Sequence, residues 1–232
     1  MARKGSARSR LRWLGAVLLV VLIGGAAGWW HLRYWTPERA QWAVQGAEIG
    51  EGDGPVDFAA LKAIGADFVY LDASASAFAR DGAFSANLEA ARATGLQVGA
   101  VHRYDPCQPA DRQAANFVTV VPRESTLLPP VVELEALAEN CPTRVSDAAI
   151  ESELTTFLNQ VEGHTGKAAV LKLGRDFEKR YHVAAAVERN LWLTQVRFQP
   201  DYAGRPWTMW TANTALANDA IAAPLRWVVV QP

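Results

Sequence analysis

The sequence predicts an α/β protein in which parallel strands alternate with helices, either as a β/α barrel or as an open doubly wound sheet. Short apolar runs of strand length alternate with segments of helical periodicity from residue 44 onward. This alternation is typical of parallel strands joined by right-handed crossovers. Half of the 232 residues are hydrophobic and 20% are charged, which suits one main domain with a sizeable core.

The first part of the chain is expected to form a membrane helix. An almost uncharged run extends from Trp13 to Trp30, and its roughly 18 residues are long enough to cross the hydrocarbon core of a bilayer. Five cations precede it: Arg3, Lys4, Arg8, Arg10 and Arg12. This basic flank is predicted to stay in the cytoplasm, which gives a single-pass inner-membrane protein with a periplasmic C-terminal domain. Small residues near Ala26 leave open a cleaved signal peptide followed by secretion.

These features divide the chain into a basic flank at 1–12, an anchor or uncleaved signal at 13–34, a linker at 35–43 and a folded domain at 44–232. The flank holds five cations and no anion, so the net charge of −1 leaves −6 for the remainder. An acidic domain argues against nucleic acid as a partner, because nucleic-acid-binding surfaces are basic. The scattered histidines lack the spacing of a metal motif, so no metal or cofactor is expected. A monomer is expected.

Within the folded domain, the elements can be placed from their periodicity. Strands are predicted at Val44–Ile49, Phe68–Leu71, Val98–His102, Pro130–Leu134, Ala168–Leu173, Leu191–Val196, Trp207–Thr211 and Trp227–Val230. Helices are predicted at Phe58–Ile64, Phe84–Thr94, Arg112–Val121 and Asp147–Glu162. Ser146 is the expected N-cap of the last helix, and Gly95 is expected to end the second.

The most informative segment is the apolar run that ends in Glu133-Leu134-Glu135. Successive side chains of a strand point to opposite faces, so Glu133 and Glu135 share one face. Two close carboxyl groups at the end of a buried strand disfavour simultaneous ionisation, which raises at least one pKa. A raised pKa suits a proton donor that works near neutral pH. The alternative is a pair of solvated glutamates at the start of a loop.

Other predicted strands end in polar or aromatic residues that belong to the same edge of the sheet. Glu48, Asp72, His102 and Tyr104 each lie at or just after such an end. Because ligands of α/β folds bind at the carboxyl ends of strands, these residues predict a site for a polar, ring-shaped ligand such as a sugar. A surface charge for Asp72 and a satisfied core histidine for His102 remain open. The glycine-rich segment 50–54 lacks the lysine of a phosphate-binding loop.

Cys107 and Cys141 both follow the predicted anchor. In an oxidising compartment a pair of cysteines is expected to form a disulfide, and two thiolates alone do not complete a zinc site. Two free buried cysteines remain the alternative, since the sequence does not show how closely they approach.

The ordered motifs of the folded domain resemble glycoside hydrolase family 25, the lysozymes of the Chalaropsis type. The resemblance runs from about Val44 to Val230. It rests on Gly46-Ala47-Glu48-Ile49, Gly65-Ala66-Asp67-Phe68-Val69-Tyr70-Leu71, Ala93-Thr94-Gly95-Leu96, Leu128-Pro129-Pro130-Val131-Val132-Glu133-Leu134-Glu135 and Trp207-Thr208-Met209-Trp210. It implies an irregular TIM-like β/α barrel that cleaves the β-1,4 bond between N-acetylmuramic acid and N-acetylglucosamine in peptidoglycan.

The resemblance also implies roles for individual residues. Glu135 would be the general acid, and Glu133 would support the oxocarbenium-like transition state or orient the acetamido group of the substrate. Glu48 stands where the family has an aspartate. Substrate contacts would come from the residues at the strand ends and from the tryptophan motif, namely Asp72, His102, Tyr104, Lys172, Trp207 and Trp210.

The chain departs from the family pattern at several site positions. Glu48 and Glu133 are each one methylene longer than the usual aspartate, and Lys172 stands where a tyrosine is common. Arg226 or Trp227 stands where another aspartate is expected. A compensating ion pair of Asp72 with Lys172 or with Arg226 is one hypothesis.

Three functions are consistent with these observations. The first is a membrane-anchored muramidase that acts on peptidoglycan in the periplasm. The second is a catalytically impaired family member that binds cell-wall glycan without cleaving it, and the third is a scaffold in an envelope complex.

Overall fold

The computed structural model describes residues 5–232, which fall into two compact units that meet in sequence between Trp35 and Thr36. The first unit contains helix α1 (Gly5–Arg33). Within it, Arg12–Arg33 is long and apolar enough to cross a membrane, a property that signal sequences near an N-terminus share. Arg3 and Lys4 of the predicted basic flank lie outside the described residues.

The second unit is a closed β-barrel. Its strands are β1 (Gln45–Ile49), β2 (Phe68–Ala75), β3 (Ala79–Arg80), β4 (Gln97–Arg103), β5 (Val131–Leu134), β6 (Val170–Leu173), β7 (Asn190–Thr194), β8 (Met209–Leu216) and β9 (Leu225–Val230). The sheet order is β1-β9-β8-β7-β6-β5-β4-β2-β3, and a further pairing of β1 with β2 closes a ring of eight strands. Closure excludes the open doubly wound sheet. The short strand β3 lies outside the ring as a hairpin on β2.

Helices pack outside the strands. They are α2 (Phe58–Ala63), α3 (Phe84–Ala93), α4 (Ala110–Val120), α5 (Asp147–Thr165), α6 (Arg175–Tyr181) and α7 (Val183–Ala186). Ser146 caps α5 as predicted, because its hydroxyl accepts a hydrogen bond from the backbone of Ala149. The apolar face of α5 is buried at all five expected positions: Ile150, Leu154, Phe157, Leu158 and Val161. The short helices α6 and α7 were not predicted from periodicity.

One strand of the ring contradicts the expectation of parallel strands. All neighbours from β1 through β2, β4, β5, β6 and β7 to β8 are parallel, whereas β9 is antiparallel to both β8 and β1. No helix lies between β8 and β9 in the described chain, so β9 returns directly and runs the opposite way. Its first residues therefore reach the rim where the parallel strands end.

Side chains of alternate strand positions fill the barrel. The buried cluster inside it consists of Phe68, Tyr70, Val101, Val131, Val170, Trp192, Met209 and Val228. Small residues make room for the large rings, since a Cβ atom added to Gly99 would overlap the ring of Tyr70. This packing closes the barrel below the strand ends, so the interior is a core and the polar groups lie above it.

Candidate active site

A polar cavity of about 430 Å³ occupies the rim formed by the carboxyl ends of the parallel strands. The side chains that line it come from all eight strands of the ring: Glu48 from β1, Asp72 from β2, Arg103 from β4, Glu133 from β5, Lys172 from β6, Thr194 from β7, Thr211 from β8 and Arg226 from β9. Glu135 lines it from the first residues after β5. The position follows from the fold, because the apolar cluster fills the barrel beneath these strand ends.

Lys172 connects two of the predicted catalytic acids. Its Nζ lies 2.5 Å from Oε1 of Glu48 and 2.5 Å from Oε1 of Glu133. All three side chains are buried. Burial alone would lower the pKa of Lys172, but the two carboxylates outweigh burial and raise it. Lys172 is therefore a fixed cation at the base of the cavity, with one carboxylate on each side.

Glu135 differs from these acids because it is more exposed and has no ion-pair partner among the described residues. Burial of its carboxyl group, followed by the negative charge of Glu133, raises its pKa, and Lys172 partly opposes this shift. The direction agrees with the expectation from the Glu-Leu-Glu pattern. The main cause is burial, with the neighbouring carboxylate second. A carboxyl group with a raised pKa beside an open cavity is suited to act as a general acid.

Asp72 is the second acid in the cavity with an altered pKa. Burial, followed by the charge of Glu48, raises the pKa of Asp72 to about 7, although Arg103 acts in the opposite direction. Its ion pair is with Arg103, whose Nε lies 3.7 Å from Asp72 Oδ2. Among the described residues Asp72 forms no direct ion pair with Lys172 or Arg226, because Lys172 bonds to Glu48 and Glu133 and Arg226 bonds to Asp53. The charges still interact, since Lys172 lowers the pKa of Asp72 and Asp72 raises the pKa of Arg226.

Arg226 reaches the cavity because β9 is antiparallel. Its backbone is in register with Glu48, and its Nε lies 3.7 Å from Glu48 Oε2. Its Nη2 donates to Asp53 Oδ2 at 2.7 Å. Asp53 also accepts a hydrogen bond from the backbone of Gly50, so the loop after β1 is tied to β9. Arg226, one of the two residues predicted to stand where the family resemblance implies an aspartate, thus places a cation at the cavity.

Sequence reasoning missed several residues of this cavity. Glu51 and Asp53 belong to the glycine-rich loop after β1, and Thr194, Thr211 and Thr214 come from β7 and β8. The loop directly follows the end of β1. The rule that ligands bind at strand ends, which pointed to Glu48, therefore also points to Glu51 and Asp53. The threonines carry no comparable signal, because threonine is a common strand residue.

Four predicted substrate-binding residues lie away from the cavity lining. His102 is fully buried between the barrel and the helices, where its ring stacks on Phe157 and contacts Ser74 and Gln113. Burial lowers the pKa of His102 to about 4, so it is neutral at pH 7. This environment matches the alternative expectation for His102, a core histidine whose ring nitrogens have hydrogen-bond partners.

The aromatic residues expected to bind sugar are also buried. Tyr104 packs edge-to-face on Phe157. Trp207 and Trp210 form an aromatic cluster with Trp42 and donate their indole N–H groups to backbone carbonyl oxygens. These contacts give the two tryptophans a packing role, because core aromatics satisfy their polar atom internally.

Cys107 and Cys141 form a disulfide in the structure. It joins the segment after β4 to the segment after β5, which also carries Glu135. No group of three or more potential metal ligands occurs among residues 5–232.

Comparison with known proteins places the chain among enzymes of one family. Residues 48–215 match Glycosyl hydrolases family 25. The uncharacterized protein YegX of Escherichia coli is 24% identical over 199 residues, which is 82% of this chain and 70% of YegX.

Two solved structures share the fold. A family 25 glycosyl hydrolase from Bacillus anthracis superposes with a TM-score of 0.77 at 23% identity, over 87% of this chain and 94% of that one. A bacterial lysozyme from Streptomyces coelicolor gives a TM-score of 0.71 at 19% identity, over 82% and 92%. The family match covers well over half of the sequence, and the chain therefore belongs to family 25 of the glycosyl hydrolases.

Proposed function

We propose that this protein is a peptidoglycan hydrolase, a 1,4-β-N-acetylmuramidase, with Glu135 as its general acid. The observation that carries the proposal is the contrast between the two acids of the Glu-Leu-Glu segment. Glu133 is held by Lys172, whereas Glu135 has no ion-pair partner among the described residues and has a raised pKa. A carboxyl group with a raised pKa beside a second carboxyl group that is held by a cation is an arrangement suited to glycoside cleavage.

In the proposed first step, the Glu135 carboxyl group donates its proton to the glycosidic oxygen as the bond from that oxygen to the anomeric carbon breaks. Positive charge then develops on the sugar ring. Glu133 supports this charge electrostatically or orients the acetamido group. In the second step the oxygen of a water molecule bonds to the anomeric carbon, which removes the positive charge from the sugar, and the Glu135 carboxylate takes the proton that this water loses.

The charges of the lining suit a cationic transition state. The acids are Glu48, Glu51, Asp53, Asp72, Glu133 and Glu135, and the cations are Arg103, Lys172 and Arg226. The excess of acids favours developing positive charge in a site partly shielded from water. Threonine hydroxyls and carboxylates also provide hydrogen-bond partners for the hydroxyl groups of a sugar.

We further propose that α1 anchors the protein in the inner membrane and that the barrel lies in the periplasm. The apolar segment Arg12–Arg33 and the disulfide between Cys107 and Cys141 support this assignment, because structural disulfides persist in oxidising compartments. Cleavage of α1 as a signal would instead release the barrel. Protease accessibility in spheroplasts and N-terminal sequencing of the mature protein distinguish the two outcomes.

Binding of cell-wall glycan without cleavage is a second candidate function. The observation in its favour is Lys172, which engages Glu48 and Glu133 together and offsets the negative charge that these acids would offer a cationic transition state. Acids neutralised in this way would stabilise the transition state less.

One experiment separates the two functions. The full chain in mild detergent is incubated with purified sacculi, and the soluble muropeptides are identified by mass spectrometry. A muramidase releases fragments with N-acetylmuramic acid at the reducing end. Glu135→Gln should abolish release, whereas Glu151→Gln, an exposed glutamate on α5, should not. Retention on sacculi without release by the wild type would support the binding function and reject the muramidase.

A further inference from the structure

We propose that Phe78 and Phe198 are sugar-stacking platforms on opposite sides of the barrel mouth, and that a glycan strand lies across the cavity between them. This inference rests on the proposed function, because it takes peptidoglycan glycan as the ligand of the cavity. It adds two binding residues outside the cavity lining and a direction for the bound strand.

The first observation is exposure. Phe78 is 74% exposed and Phe198 is 71% exposed, and no other phenylalanine, tyrosine or tryptophan described in Thr36–Pro232 is a strongly exposed side chain. Large aromatic side chains normally lie in cores or in interfaces. Two such rings left in solvent on one domain indicate surfaces that a ligand covers.

The second observation is their position. Phe78 lies in the turn between β2 and β3, and Phe198 lies in the segment after β7. Both segments follow the carboxyl ends of ring strands, the same rim that holds the cavity. Around the barrel, β7 is four strands from β2 in either direction. The segments that carry Phe78 and Phe198 therefore stand on opposite sides of the mouth.

The third observation is that both segments are held in place. Next to Phe78, the side-chain amide of Asn116 donates to the backbone carbonyls of Ser76 and Ala79. Next to Phe198, the backbone N–H of Arg197 donates to the carbonyl of Ala212. Fixed loops present the rings without a large ordering cost on binding.

Backbone conformation at the two segments supports the same conclusion. Ser76 has φ 49° and Arg197 has φ 67°, in the left-handed region that non-glycine residues rarely adopt. Each is within two residues of its phenylalanine. Such conformations persist where the surrounding structure enforces them, and they cluster at ligand-binding segments.

The chemistry between the platforms indicates a sugar as the occupant. A pyranose ring has apolar C–H faces that stack on aromatic rings and hydroxyl edges that bond to carboxylates. The cavity at this rim is lined by Glu51, Asp53 and Glu135. These acids disfavour the anionic surface of a bilayer, which attracts basic residues.

The test measures the affinity of uncleaved glycan. Full-length Glu135→Gln protein in mild detergent is titrated with purified, solubilised glycan strands of defined length, and the dissociation constant is measured for Phe78→Ala, Phe198→Ala and the double variant. Each single change should weaken binding of long strands by about tenfold, the scale of one lost stacking contact. Phe78→Trp and Phe198→Trp keep an aromatic ring, so each should restore the binding of long strands that the alanine change weakens.

Strand length provides a readout that a folding defect would not reproduce. A disaccharide fills only the cavity, so its binding should be unchanged by both alanine variants. Ile64→Ala serves as the matched control, because Ile64 is an exposed apolar residue that precedes β2 at the opposite rim.

The outcomes also separate this inference from the proposed function. Unchanged affinity of both phenylalanine variants for long strands, or an equal loss in Ile64→Ala, overturns the stacking inference even if the wild type releases muropeptides. A length-dependent loss in the phenylalanine variants supports the inference even if the wild type releases nothing, in which case the muramidase proposal alone fails.

Discussion

Lys172 and Glu133 are direct neighbours in the register of β5 and β6, and the ammonium of Lys172 donates to Glu133 Oε1 at 2.5 Å. The same ammonium contacts Glu48 from the opposite side. The two carboxylates thus share one buried cation, and neither is free to move independently. This arrangement distinguishes the cavity from a simple pair of acids.

Replacing Lys172 by methionine should destabilise the fold by about 3–5 kcal/mol at pH 7, because Glu48 and Glu133 would be left buried without a cation. Urea unfolding followed by circular dichroism measures the change. The loss should be smaller at pH 5, where an unpaired carboxyl group can be protonated. Adding Glu48→Gln and Glu133→Gln should recover part of the stability. Lys167→Met, which removes a cation bonded to backbone carbonyls, is the control; an equal loss there would contradict the special role of Lys172.

Activity should fall as pH rises through the pKa of Glu135, because the general acid must be protonated. Arg103 lowers the pKa of Glu135, so Arg103→Gln should raise it and move the descending limb of the pH–rate profile to higher pH. Release of muropeptides between pH 4 and pH 9 gives the profile. Arg112→Gln on α4, an exposed arginine outside the cavity lining, should leave the limb in place. A shift to lower pH in Arg103→Gln would contradict the assignment of Glu135.

Asp72 should make the fold less stable as pH rises. Its pKa is about 7 in the folded protein and 3.8 for an unperturbed aspartate, so its contribution to the free energy of unfolding is complete below pH 3.8 and is lost as pH rises to about 7. Asp72→Asn cannot ionise. Relative to this variant, the wild type should lose several kcal/mol of unfolding free energy between pH 4 and pH 8. Parallel stability curves of the two proteins over that range would show that Asp72 has an ordinary pKa.

The disulfide should contribute about 4 kcal/mol to stability, the entropic value for a crosslink that closes a loop of this length. Its two cysteines are 34 residues apart. Cys107→Ser with Cys141→Ser should lower the urea midpoint, and dithiothreitol should lower that of the wild type by a similar amount. Dithiothreitol should have no effect on the double variant. A urea midpoint of the wild type that dithiothreitol leaves unchanged would show that the cysteines are not bonded in solution.

The sequence was sufficient for the parts of the fold that depend on local pattern. Strand-length apolar runs and the amphipathic face of α5 are local signals, and both correspond to observed elements. The rule that ligands bind at strand ends placed Glu48, Asp72 and Glu133 at the rim where the structure has them. Their roles in catalysis stay predictions.

What the sequence did not show depends on contacts between distant segments. Nothing local indicates that β9 runs antiparallel, and this direction is the reason that Arg226 reaches the cavity. The partner of Asp72 likewise depends on which of several cations lies nearest. His102 is a different case, because Val101 belongs to the barrel interior and strand alternation therefore turns His102 outward.

The pairing of β1 with β9 also constrains how the protein is made. Gln45 lies opposite Val229, so one edge of β1 stays unpaired until β9, the last strand, has been synthesised. During translation the other strands emerge while the ring is still open, and the unpaired edges are exposed to aggregation. Ring closure is therefore a late event in biosynthesis. A chain truncated before residue 225 would lack β9, and β1 and β8 would each have an unpaired edge.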